Sequence, residues 1–155
     1  LAPGESHRLG PVVVTATPAD HEIGRRGVLV DPVGFLVEGS RRVYFAGDTD
    51  LFDDMEALGA AGLDLALLPV WGWGPTLGPG HLDPERAARA AALLHPRLAV
   101  PIHWGTLYPP GLARLRPRPL TEPPRRFAAH ARKLAPGVEV HVTPPGGEVA
   151  FDPVR

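Results

Sequence analysis

The alternation of apolar and polar positions predicts short strands separated by turns, with helices interleaved further along. Residues 11–17 (PVVVTAT) are rich in β-branched side chains, which are stiff at χ1 and suit a pleated surface, so they predict a strand. Pro18, Asp20, Gly24, Gly27 and Asp31 mark a long connection over 18–32. Strands follow at 33–38 (VGFLVE) and 41–46 (RRVYFA), with Gly39 and Ser40 between them as a two-residue hairpin turn. Leu51, Met55 and Leu58 share one face of a helix over about 51–60. Residues 64–70 (DLALLPV) are almost continuously apolar, the pattern of a strand buried on both faces. Asp83 as N-cap and Pro84 at the first helical position open a helix that runs to about Leu94, and its many alanines allow close packing. Residues 97–102 (RLAVPI) predict the next strand. Thr121 opens a last helix with Phe127, Ala131 and Leu134 on one face, and 138–143 with 148–151 predict a closing hairpin around Pro144–Gly147. The Pro-rich stretch 109–124 reads as an extended surface loop.

Strands, then helix–strand–helix–strand–helix, then strands is the order of a mixed sheet covered by helices, an α/β or α+β architecture. At 155 residues, with no repeat or linker, the chain is expected to form a single domain. Gly 18 and Pro 20 make up about a quarter of the chain but lie between hydrophobic segments, as turn punctuation. A net charge of −1 gives no electrostatic case for nucleic acid or an anionic membrane. The basic run, Arg114, Arg116, Arg118, Arg125 and Arg126, lies in or beside the Pro-rich stretch. No apolar run approaches the ~20 residues of a membrane span. With Cys 0, disulfides and thiolate metal sites are excluded, which leaves His 7 as the soft ligands. The chain starts at Leu1 without a charged-then-apolar leader, so a cytoplasmic location is expected. Lys is nearly replaced by Arg, and Ala, Gly and Pro are abundant, which points to a GC-rich bacterial genome.

Three polar residues fall at or just beyond the carboxyl ends of predicted strands, where open α/β sheets place ligands. They are His21 in TPADH, Asp48 in YFAGDTD and His103 in AVPIHWGT. Two imidazoles and a carboxylate are ligand types for zinc, iron or manganese. Local sequence leaves plainer roles open. Asp48 could cap the helix near Leu51, His103 could be a hydrogen-bonded core histidine, His21 a loop residue, and His81 part of the cap of its helix. His7, His95, His130 and His141 read as surface or helix-end residues.

Taken together, YFAGDTD at 44–50, HLDPERA at 81–87 and PIHWGT at 101–106 resemble the metallo-β-lactamase superfamily. The similarity is greatest to the branch of ascorbate-6-phosphate lactonases and N-acylphosphatidylethanolamine phospholipases D, and it spans about residues 10–106. It implies an αββα sandwich and a metal-dependent hydrolase of phosphodiester, lactone or related ester bonds, using a hydroxide held between two metal ions. It also implies zinc, with manganese or iron as alternatives, and a small-molecule substrate. By position, Asp48 is implied as the carboxylate bridging two ions, His21 as a ligand of the first and His103 as a ligand of the second. His81 is implied as a residue that contacts substrate or assists protonation. A carboxylate has two oxygens to span two cations, and a neutral imidazole offers one nitrogen to one.

The superfamily's H-x-H-x-D-H signature is absent from this sequence. The resemblance therefore implies the C-terminal part of such a domain, truncated at the N-terminus. The expectation is weak metal binding and little turnover by this chain alone. An uncovered layer would favour a homo-oligomer or docking of an N-terminal half. Two alternatives follow: a non-enzymatic remnant acting through partner binding, and one half of a split enzyme. The stretch WGWGPTLGPG at 71–80 would form a pocket wall, with Trp71, Trp73, Trp104 and Tyr108 either lining it or packing in the core.

Overall fold

The first two strands form a hairpin. Ser6–Leu9 (β1) runs antiparallel to Val12–Pro18 (β2), with Leu9 opposite Val12. In the computed structural model, which describes residues 1–21, 31–71, 78, 80–105, 108, 111–115 and 117–150, the strands continue with Val33–Glu38 (β3) and Arg42–Phe45 (β4). Leu65–Pro69 (β5), Leu98–Ile102 (β6) and Glu139–Val140 (β7) complete them. All seven form one sheet in sequence order, antiparallel from β1 to β4 and parallel from β4 to β7. The helices are Met55–Gly59 (α1), Pro84–Leu94 (α2), Leu112–Leu115 (α3) and Pro123–Leu134 (α4), with a 3₁₀ turn at Arg118–Leu120.

This is the mixed α/β arrangement that the order of elements predicts. Strand pleating sends alternate residues to opposite faces. One face carries Leu36, Tyr44, Ala46, Ala66, Leu68 and Ala99 into a core closed by Met55 of α1, the alanines of α2, and Phe127 and Ala131 of α4. The other face presents Phe35 beside Phe45 and Val37 beside Val43, half-buried to exposed. Asp83 caps α2 as expected, accepting hydrogen bonds from the amides of Glu85 and Arg86, both at 2.8 Å. Among the described residues no helix is long and apolar enough to cross a membrane.

Several local expectations need correction. β1 was not predicted, because SHRL has no apolar alternation; it exists by pairing with β2 and is exposed throughout. Glu38 pairs with Arg42, so the β3–β4 turn holds Gly39, Ser40 and Arg41 rather than two residues. The first helix is shorter than 51–60, beginning only at Met55. The last helix begins at Pro123 rather than Thr121. The Pro-rich stretch contains α3 and the 3₁₀ turn. The closing hairpin does not form: β7 pairs in parallel with β6, and 148–150 are not in a strand. Two residues give β7 little length to template a partner.

β2 lies two antiparallel reversals from β4, so both point the same way, and β5 and β6 run parallel to β4. The carboxyl ends of β2, β4, β5 and β6 therefore share one rim.

Candidate metal centre

Each of the four segments leaving that rim delivers one candidate side chain. His21 follows β2, Asp48 follows β4, His81 precedes α2 on the connection from β5, and His103 follows β6. Asp48 does not cap a helix; the residue before α1 is Asp54. Its carboxylate is instead the focus of three imidazoles. Asp48 Oδ2 lies 3.4 Å from His103 Nε2, 3.5 Å from His81 Nε2 and 4.0 Å from His21 Nε2. The structure thus brings together all four residues singled out in the sequence.

The ring orientations have identifiable supports. His21 Nδ1 is 2.9 Å from the Gly80 carbonyl and His81 Nδ1 is 3.3 Å from that of Gly78. A carbonyl only accepts, so in the neutral rings the proton sits on Nδ1 and the Nε2 lone pair faces Asp48. Lone pairs on the imidazoles would then oppose lone pairs on Asp48 Oδ2. A proton or a metal cation between them removes that conflict. A second carbonyl-to-imidazole contact of this kind is also the usual outer support of a metal-ligating histidine.

The His21 and His81 rings meet edge to face, with centroids 4.6 Å apart and planes at 82°. One ligand atom from each of His21, Asp48 and His81 lies within 4.8 Å of the others, spacing compatible with a common ion. His103 approaches Asp48 from outside that triplet. Its backbone has φ 59°, the left-handed region, where a non-glycine residue carries strain. Gly105 beyond it is also left-handed, at φ 79°.

Electrostatics reinforce the focus on Asp48. Burial pushes its carboxyl up, but the hydrogen bond and positive charge of His103, with the charges of His81 and His21, outweigh burial and hold it below the ordinary carboxylate range. His103 is shifted the other way: the hydrogen bond to Asp48 raises it, partial burial opposes, and the Asp48 charge adds to the rise. Asp48 Oδ1 is buried and has no hydrogen-bond partner among the described residues. A buried carboxylate oxygen left unsatisfied is costly, and a cation would satisfy it. The donor set, carboxylate and imidazole without thiolate, fits a borderline divalent metal. On these observations the residues present fit a metal ion.

A model of the beta-lactamase superfamily domain matches residues 1–104. The chain belongs to that superfamily. It is 43% identical over 122 residues to a UPF0173 metal-dependent hydrolase of Thermus thermophilus, covering 78% of this chain and 46% of that protein. The solved structure of Igni18, a metallo hydrolase from the hyperthermophilic archaeon Ignicoccus hospitalis, aligns with TM-score 0.74 and 28% identity, covering 98% of this chain and 60% of that one. The metallo-beta-lactamase fold protein YhfI of Bacillus subtilis shares the fold, with TM-score 0.63 and 16% identity over 92% of this chain and 51% of that one. The chain spans about half the length of the curated relatives it matches.

In this metallo-β-lactamase-fold chain the aromatic residues divide. Trp71 is buried, with its ring centroid 6.0 Å from that of Tyr108, and Trp104 packs against the core while its indole donates to the Pro101 carbonyl at 3.1 Å. Trp73 lies outside the described residues. His95 ends α2 as its C-cap, a helix-end role of the kind expected. Sequence reasoning missed the carbonyls of Gly78 and Gly80 as ring supports. It also missed that His81 stands as close to Asp48 as His103 does. The glycines on either side of Pro79 were the available signal for the first; nothing in HLDPERA alone indicates the second.

Proposed function

We propose that the rim is the metal centre of a hydrolase, and that His21, His81 and Asp48 hold one ion while His103, with Asp48 shared, holds a second. The observation that carries this reading is the convergence of three imidazole Nε2 atoms within 3.4–4.0 Å of one carboxylate oxygen. Zinc is the metal that imidazole and carboxylate suit well, and manganese or iron share those preferences. Bound divalent ions would supply Lewis-acid polarisation of the substrate and a water acidified enough to attack at neutral pH. The resemblance in the GDT, H-x-D-P-E and P-I-H-W-G-T strings extends this to a small-molecule phosphodiester, lactone or related ester.

The chain's own residues do three things in that scheme. Gly80 and Gly78 carbonyls hold the Nδ1 protons of His21 and His81, fixing the tautomer that turns Nε2 inward. Asp48 supplies the negative charge that a cation cluster needs, with Oδ2 facing the imidazoles and Oδ1 without a hydrogen-bond partner among the described residues. His103, partly exposed, stands beside Asp48 as the imidazole for the second ion.

His81 is assigned here as a ligand, because its ring sits within the triplet rather than outside it. Calorimetric titration of the chain with zinc tests the reading. The parent is expected to bind zinc, and Asp48→Asn to weaken that binding by at least about tenfold. His81→Ala is expected to weaken it as well; an effect confined to turnover would instead make His81 a proton donor. A parent chain that binds no zinc at about 1 mM would overturn the metal centre.

A further inference from the structure

The four candidate ligands come from separate segments, and the bonds that hold three of those segments in register run through one residue, Thr49. It is completely buried. Its hydroxyl accepts the Asp20 amide at 2.8 Å and donates to the Asp50 carbonyl at 2.9 Å. Its own carbonyl accepts the Leu82 amide at 2.8 Å. The Asp50 amide adds a second bond to the same strut, donating to the Asp20 carbonyl at 2.6 Å. Asp20 precedes His21, Leu82 follows His81 and Thr49 follows Asp48. The chain neighbour of each member of the triplet is thus tied to the Thr49–Asp50 pair.

The side-chain part of this arrangement demands a hydroxyl. Only a group with both a donor and an acceptor can take the Asp20 N–H and give to the Asp50 carbonyl at once. An isosteric valine fills the same volume and does neither. Without the bond, the Asp20 amide would be left without its partner in a site shielded from water, which favours local rearrangement of the segment bearing His21. A ligand displaced by a fraction of an ångström loses much of its contribution to metal binding.

We propose that Thr49 is a positioning residue for the metal centre, setting the distance between His21 and Asp48 through its hydroxyl without touching the ion. This rests on the metal-centre reading above, and the test separates the two. Zinc affinity is measured by calorimetry for the parent, Thr49→Ser and Thr49→Val, each checked by circular dichroism. Hydrogen exchange at the Asp20 amide is followed in the metal-free chains. Thr49→Ser keeps the hydroxyl and is expected to bind zinc within about threefold of the parent, whereas Thr49→Val is expected to lose about 10–100-fold. The Asp20 amide should be protected in the parent and in Thr49→Ser and exchange at least about tenfold faster in Thr49→Val.

Equal zinc affinity in parent and Thr49→Val, or equal Asp20 protection, overturns the positioning role while leaving the metal centre intact. A parent that binds no zinc overturns both. Thr49→Ala, which makes no steric demand, replaces Thr49→Val if the valine variant does not fold. Loss of the fold in both hydroxyl-free variants also overturns the proposal, because the hydroxyl would then be a requirement of folding.

Discussion

Arg86 reaches from the first turns of α2 to Asp50, and its Nε and Nη2 both lie 2.6 Å from the same carboxylate oxygen, Oδ1. That oxygen also accepts the Leu51 amide at 2.8 Å. The Asp50 side chain is only 12% exposed, so the contact is partly withdrawn from water. Charge-assisted bonds of this kind are stronger than neutral ones, and a fork of two nitrogens cannot be reproduced by an ammonium. The pair pins the start of α2 against the segment that carries Asp48.

Removing the guanidinium should therefore destabilise the metal-free chain. Arg86→Gln is expected to cost about 1–3 kcal/mol in urea unfolding, with Arg86→Lys recovering only part of it. Much of that cost is the stranded Asp50 charge. Adding Asp50→Asn to Arg86→Gln should restore a portion of the stability, and a double-mutant cycle reads the coupling. Strict additivity of the two substitutions would show that the contact contributes nothing.

Gly59 ends α1 where that helix meets the main chain of Leu94. A Cβ at Gly59 would lie 2.7 Å from the Leu94 carbonyl carbon and 2.8 Å from its Cα, and closer still to the carbonyl oxygen. Those atoms are backbone and cannot rotate away, so α1 and α2 would have to separate. Gly59→Ala is expected to destabilise by about 1–3 kcal/mol, measured by thermal or urea unfolding, despite alanine's better helix propensity. The contact sits at the C-terminal end of α2, roughly 15 Å along the helix from the end that faces His81. Zinc affinity of the folded variant should accordingly stay within about twofold of the parent. A stability unchanged or raised by the substitution would mean that the helices can part without loss.

The sequence is most legible where local chemistry and tertiary structure agree. The Val-rich β2, the buried β5 and the Asp83–Pro84 start of α2 each satisfy a local rule and a packing need together. It is least legible where pairing alone makes the element, as in the polar β1 and the two-residue β7. The site divides in the same way. His21, Asp48 and His103 stand out because each interrupts an apolar segment at a strand end. The place of His81 beside Asp48 is a tertiary relationship between segments distant in sequence, which no spacing rule encodes. Thr49 was invisible for a different reason: a buried threonine after a candidate ligand looks like any small residue until its two hydrogen-bond partners are known.

Tyr44 offers a test of the core itself through alkaline pH. It is completely buried on the helix-facing side of β4, near Thr17, and neither hydroxyl forms a full hydrogen bond among the described residues. Burial pushes its phenol up from 10.0 to about 12, tempered by the Thr17 hydroxyl. A folded pKa above the unfolded one means that the folded state holds the proton longer. The associated stability is then fully present below pH 10 and is lost as pH rises from there toward 12. Two units of difference correspond to about 2–3 kcal/mol over that window. Tyr44→Phe keeps the ring and cannot ionise. At pH 7 it should match the parent within about 1 kcal/mol, since the lost hydroxyl was poorly bonded. Between pH 10 and 12 the parent should lose stability faster than the variant, so that the two unfolding curves diverge. Parallel loss in both proteins across that range would show that Tyr44 ionises no differently in the folded chain than in the unfolded one.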